Sequence, residues 1–244
     1  MTFADAVARL EAALARELPG AAAQARMAPV PRRQWPAGFN VARVRHAAGL
    51  LLVFPATTTI NAEPADHAEK SNQESLRAPR VLRSSSSSAS AEAHIVLTVR
   101  GDTPRHAGQV SLPGGVVEPG ETFEQAALRE AHEEVALDAS QVRVIGALTP
   151  LDIPVSGFRL YPVVASTNAR PFLTPADGEV AHILEAALGE LLDRSKTVWT
   201  HRERDGIALD VPAFRIGDHE IWGATAMVLA EFLTLLGWPG PRPS

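Results

Sequence analysis

Glu130, Glu133 and Glu134, with Arg129 beside them, are the residues of this chain whose types and spacing could do chemistry. On an α-helix, positions i, i+3 and i+4 fall within an arc of about 100°, so the three carboxylates must share one neighbourhood. Such a cluster has two outlets. It is a solvated acidic face, which costs an isolated helix only about 0.2–0.5 kcal/mol for the like-charged i,i+4 pair, or it is a set of hard oxygen ligands for a divalent cation. Exposed charged helix faces are common, so a Glu-Glu pair alone favours the first outlet. The surroundings reverse that preference. Gly115, Glu121, Arg129, Glu130, Glu133 and Glu134 form a longer pattern: glycine, five residues, glutamate, seven residues, then Arg-Glu-x-x-Glu-Glu.

With each identity at about the 7% usual for glycine, six together arise by chance roughly once in ten million starts. The pattern resembles the Nudix box, the signature of enzymes that hydrolyse pyrophosphate linkages with magnesium. A pyrophosphate carries dense negative charge and water is a poor nucleophile at neutral pH, so a hard cation that neutralises phosphate oxygens and acidifies water serves both needs. The resemblance implies that Glu130, Glu133 and Glu134 are metal ligands or proton acceptors for Mg²⁺ or Mn²⁺, with the Gly115 carbonyl a further ligand. Which glutamate acts as base stays open. Arg129 resembles the residue that orients the glutamates, with Glu121 as its partner through a planar fork. Two positions depart from the pattern: Ala131 replaces a larger aliphatic residue, and Ala136 replaces a glycine that would tolerate a left-handed helix end. Nudix enzymes often add a carboxylate from a later loop, which makes Glu179, in Asp177-Gly178-Glu179-Val180, a site residue against the rival of an ordinary turn.

Segments flanking the box are similar to the coenzyme A pyrophosphatase branch of the family. Upstream are Leu97-Thr98-x-Arg100 and the run from Arg105 through Gln109 to Gly115, with Leu112 where phenylalanine is usual. Downstream are the run from Pro150 to Arg159 and Ile221-Trp222-Gly223-Ala224-Thr225-Ala226. That branch splits coenzyme A or its thioesters into a phosphopantetheine and adenosine 3',5'-bisphosphate. The phosphates need cationic partners, and Arg77, Arg80, Arg83, Arg100 and Arg105 surround the strand that enters the box. Arg100 and Arg105 are the first candidates. Gln109 meets the substrate or braces the loop, and Arg80 and Arg83, beside the serine run at 84–88, order on ligand binding. Two other readings stand beside coenzyme A: hydrolysis of another nucleoside diphosphate compound such as a dinucleotide or ADP-sugar, and a sensor without catalysis. Intact Arg129 and glutamates favour an enzyme.

The elements that must position these groups follow from periodicity. Thr122 caps a helix running to about 135, and Gln125 completes a capping box. Apolar runs at 48–54 and 94–99 read as buried strands, as do 142–148, 159–165 and 180–184; 187–192 and 223–236 read as helices. Residues 2–18 form an amphipathic helix ended by Pro19-Gly20, and 27–39, with three prolines, an extended arm. Trp222 and Phe232 are expected in the core, and His46, His106, His182 and His219 as hydrogen-bonding or surface residues. The fold class is α/β (α+β), an α/β/α sandwich of the Nudix type with a mixed sheet and an N-terminal helical extension. The divisions are 1–40 for helix and arm, 41–238 for one domain with a flexible insertion at about 56–93, and 239–244 for a tail.

Composition narrows the classes. A net charge of -5 gives no broad basic surface for nucleic acid. The absence of cysteine excludes thiol catalysis and disulfides, and is compatible with a cytoplasmic enzyme. No apolar run reaches the roughly 18 residues that span a bilayer. His-Glu-x-x-His would need histidine where Ala136 stands, and no Walker loop, dinucleotide glycine fingerprint or Gly-x-Ser-x-Gly elbow occurs. The partner expected is a small nucleotide, with a homodimer implied by resemblance.

Overall fold

The computed structural model of the chain describes residues 1–56, 91–101, 108–176, 178–204 and 206–242. Arg77, Arg80, Arg83, Arg105, His106, Asp177, the serine run and most of the expected insertion lie outside them.

The long apolar runs become the middle of a mixed sheet. β1 (Arg45–Ala56) pairs in parallel with β7 (Phe158–Ser166) along nine positions and antiparallel with β2 (Glu92–Arg100). The sheet order is β3 (Val110–Ser111), β2, β1, β7, β5 (Arg143–Ala147). β4 (Gly114–Val116) adds to β1, β6 (Leu151–Ile153) to β7, and β8 (Val180–Ala187) to β2. Since side chains alternate between faces, Ala48, Leu50, Leu52 and Phe54 of β1 point to one side, and Leu51 and Val53 to the other.

On the first side lies α3 (Phe123–Val135), which seats Ala126, Ala127, Ala131 and Val135 on the sheet. Ala131, wholly buried, explains its own departure from the larger residue expected there: three alanines let the helix approach closely. Phe123 stacks on Tyr161 of β7 at 3.6 Å between centroids, with His46 alongside, and so anchors the start of the helix. Thr122 and Gln125 form the expected capping box.

The opposite face is covered by α1 (Phe3–Leu14) and α5 (Gly223–Leu235), whose Phe232 is buried as expected. The N-terminal helix is shorter than the 2–18 expected, because Ala15 leaves helical geometry and Pro19 opens a second helix, α2 (Gly20–Gln24). That segment is tied down by Glu231 of α5, which is fully buried and accepts from Gly20 N, Gln24 Nε2, Thr149 N and Thr149 Oγ1.

After α4 (Leu188–Leu192) comes a second sheet that periodicity did not predict, β11 (His219–Trp222), β10 (Ile207–Ile216), β9 (Thr197–Arg204), all antiparallel. Charged β9 and Pro212 within β10 hide the alternation that a strand normally displays. Trp222 is a correction. It is half-buried, with Arg202 4.3 Å over its ring, and not part of the core. His182 and His219 bond to each other, Nε2 to Nε2, at 3.0 Å. Among the described residues no helix is long and apolar enough to cross a membrane.

Candidate active site

β4 and the facing side of α3 build the site. β4 adds to β1 with Gly115 opposite Ala48 and Val116 opposite Ala47. A β-carbon at Gly115 would stand 2.5 Å from the Glu130 carboxyl, so a larger residue there would push that carboxylate from its place. One residue earlier, Gly114 has φ 155 and donates its N–H to Glu134 Oε2 at 3.1 Å. Two of the three helix carboxylates therefore press against adjoining residues of one short strand.

Arg129 organises the remainder. Its Nε and Nη2 grip both oxygens of Glu121 at 2.7 and 3.1 Å, and Nη2 also donates to the Val116 carbonyl at 3.0 Å. Nη1 reaches Glu130 Oε1 at 2.9 Å and Glu133 Oε2 at 3.1 Å. One guanidinium thus locks the loop before the helix, the strand and two helix carboxylates together. The Glu121 carboxyl is held below its ordinary range first by the Arg129 hydrogen bond and then by the Glu118 N–H, while Arg129 is pushed upward chiefly by Glu121. Both stay charged at neutral pH.

The second oxygens of Glu130 and Glu133 take no hydrogen bond among the described residues. Nor do three carboxylate or imidazole groups there already stand in a closed ligand cluster. The donor set is nevertheless hard oxygen throughout, gathered around Gly114–Gly115, and suits a divalent cation.

Glu179 and Arg100 are brought together as a pair 3.1 Å apart, with side chains 62% and 35% exposed. The Glu179 carbonyl also accepts from Gly101 N at 2.7 Å, which pins the segment before β8 to the end of β2. Gln109 is half-buried and its carbonyl accepts from Arg100 N, so its backbone closes the end of the β2–β3 connection. The segment between β7 and β8 is steered past the end of α3 by Thr174 N to the Val135 carbonyl and Ala176 N to the Glu134 carbonyl.

A cleft of about 250 Å³ opens beside β4, lined by Arg100, Gly115 and Ser156 and by Ala47, Val116, Ile153 and Phe158 as its apolar wall. Gly115 and Val116 belong to both cleft and carboxylate network. Sequence spacing did not single out Val116, Ile153, Phe158 or Arg45, which stands at the rim. The only signal for Ile153 and Phe158 was the run from Pro150 to Arg159, and Val116 and Arg45 had none, because wall residues of a sheet are chosen by strand register, which a motif does not display.

The NUDIX domain family model matches residues 87–202. The protein named "Uncharacterized Nudix hydrolase NudL" from Yersinia enterocolitica is 39% identical over 140 residues, 57% of this chain and 71% of that one. NudL of Yersinia pestis is also 39% identical over 140 residues, 57% and 70% of the two chains. Among solved structures, the Nudix hydrolase RenU of M. smegmatis is similar with a TM-score of 0.44 at 18% identity, over 79% of this chain and 84% of that one. A MutT/nudix family protein from Enterococcus faecalis has a TM-score of 0.47 at 13% identity, over 84% and 71%.

Proposed function

The chain belongs to the Nudix hydrolase family and is a pyrophosphohydrolase, and from that premise we propose that it cuts the diphosphate of coenzyme A or its thioesters, releasing a phosphopantetheine and adenosine 3',5'-bisphosphate. The observation that carries this reading is the cleft. Gly115 in its lining adjoins the Glu130 carboxylate, Arg100 supplies positive charge, and the wall of Val116, Ile153 and Phe158 suits the uncharged nucleoside that a diphosphate carries. The coenzyme A-like runs on either side of the box supply Arg100, Ile153 and Phe158.

The family generally uses divalent metal ions, and Glu130, Glu133, Glu134 and the Gly115 carbonyl are the groups that would hold Mg²⁺, or Mn²⁺ in its place. Bound there, the ion neutralises phosphate charge and acidifies water. Arg129 keeps Glu130 and Glu133 in place without taking all their oxygens. Arg100 binds the diphosphate, Glu179 steers Arg100 or accepts a proton, and Gln109 braces the end of β2 that carries Arg100. Arg105, Arg80 and Arg83 are further phosphate partners by resemblance.

The test is a panel of coenzyme A, acyl thioesters, NADH, ADP-ribose and nucleoside triphosphates with magnesium or manganese. Coenzyme A and its thioesters should show the highest kcat/KM. Preferred turnover of NADH or ADP-ribose would replace the substrate assignment.

A further inference from the structure

Four arginines stand in or beside the cleft, and three already pair with a carboxylate. Arg129 is on Glu121, Arg100 on Glu179, and Arg159 grips both oxygens of Asp152 at 2.7 and 3.2 Å. Arg45 differs: among the described residues it meets no carboxylate. Its guanidinium carbon lies 3.9 Å from the centroid of the Phe158 ring, and its Nη2 donates to the Ser156 carbonyl at 3.4 Å. Phe158 and Ser156 both line the cleft. An arginine over an aromatic face gives up little of its donor capacity, because the ring occupies the face of the group and its N–H bonds point outward along the edge. Arg45 is thus an exposed cation already positioned at the cleft rim, with neither its charge nor most of its donors used.

The strand measures where this cation sits. Arg45 lies three residues along β1 from Ala48, the residue opposite Gly115, and strand geometry makes that about 10 Å. A group bound there is separate from the diphosphate at the carboxylates, yet a nucleotide's ribose can bridge the gap. We propose that Arg45, carried on Phe158, is the subsite for a phosphate monoester on the nucleotide half of the substrate, the 3'-phosphate in coenzyme A. This rests on the coenzyme A reading for the identity of the ligand but not for its chemistry, since any nucleotide with a second phosphate on the ribose presents the same group. A monoester dianion accepts two N–H bonds from a guanidinium edge, which an amine or amide cannot reproduce. The site therefore selects between substrates that differ only in that phosphate.

The experiment uses the full chain and two pairs of ligands that differ by one phosphate: adenosine 3',5'-bisphosphate against AMP for binding, and coenzyme A against dephospho-coenzyme A for turnover. Calorimetry should show tighter binding of the bisphosphate to wild type, and Arg45→Gln should shrink that preference about tenfold or more, the scale of a lost charge-assisted pair. The ratio of kcat/KM for coenzyme A over dephospho-coenzyme A should fall in parallel, mainly through KM. Arg45→Lys should restore part of the preference, and Phe158→Leu, which leaves the charge but removes its platform, should lie between Arg45→Lys and Arg45→Gln. Equal binding of bisphosphate and AMP by wild type overturns the subsite. So does an Arg45→Gln variant that weakens both members of each pair equally, since that is the signature of a structural role. Failure of the substrate reading looks different: wild type then turns over neither coenzyme, whatever the two adenosine ligands do.

Discussion

α3 and α5 are helices of equal length, and each carries glutamate that other groups of the chain hold in place, but they treat it in opposite ways. Glu231 of α5 is completely buried, and its two oxygens accept four hydrogen bonds from neutral donors. On α3, the Glu130 and Glu133 side chains are 17% and 54% exposed, and a single cation takes one oxygen from each. A saturated carboxylate joins pieces of the fold; a carboxylate held on one side keeps lone pairs for a ligand. Position on a helix does not separate the two cases. What separates them is whether donors arrive from distant segments to fill every acceptor, as Gly20, Gln24 and Thr149 do for Glu231.

The comparison is broken most directly at Glu134. Its amide isostere in Glu134→Gln still accepts the Gly114 N–H, so thermal stability should move by no more than a few degrees. Turnover should fall about 1000-fold, an increase of about 4 kcal/mol in the barrier, as expected when charge at a metal site is removed. Steady-state kinetics and a melting curve on one sample decide it. Near-normal turnover would place Glu134 in the same class as Glu231.

Glu231→Ala should do the reverse. It leaves the donors of Gly20, Gln24 and Thr149 buried and unfilled, at a cost of about 3 kcal/mol, which at this chain length lowers Tm by roughly 6–12 °C. Once corrected for the folded fraction, kcat should stay far closer to wild type than that of Glu134→Gln. A variant with wild-type Tm would show that the buried cluster contributes nothing to stability.

Acid sharpens the contrast further. Glu121 is held below its ordinary value of 4.5 by Arg129, so its ion pair stabilises the fold fully above that value and loses its contribution as pH falls through the lowered folded value. Glu121→Gln should therefore be less stable than wild type at neutral pH, with the gap closing as the pH falls well below 4.5. Urea unfolding at both ends of that range measures it. A gap independent of pH would assign the loss to packing instead of charge.

The chemistry-bearing helix was legible because its residues lie close in sequence: Thr122, Gln125, Arg129 and the glutamates declare both the cap and the face. The central strands were legible because burial on both sides leaves apolar runs. The three-stranded sheet was not, since Pro212 and the charges of β9 break the alternation. Arg45 and Phe158 were not, because they meet only through the parallel β1–β7 register, more than a hundred residues apart in the chain. The pairing of Glu179 with Arg100 belongs to the same class: both residues stood out singly, but their contact depends on how β8 lies against β2.

The smallest effect lies at Ala136, where the sequence departs from glycine and the chain nevertheless takes the left-handed conformation, φ 55 and ψ 31. Ala136 N reaches the His132 carbonyl and Leu137 N the Ala131 carbonyl, so the helix end closes as a glycine end would, at a strain of about 1–2 kcal/mol. Ala136→Gly removes that strain but adds about 0.4–1 kcal/mol of unfolded-chain entropy. The net expectation is stabilisation by about 0.5–1 kcal/mol, seen as a Tm rise of roughly 1–4 °C. Because the Gly114 N–H and the Ala176–Glu134 backbone bond hold the last turn independently of that strain, kcat should change by less than about twofold, under half a kcal/mol in the barrier. A stabilised variant that lost most of its turnover would mean the opposite: the strained alanine sets the angle of Glu134, and the end of α3 resembles the Glu231 cluster less than its hydrogen bonds suggest.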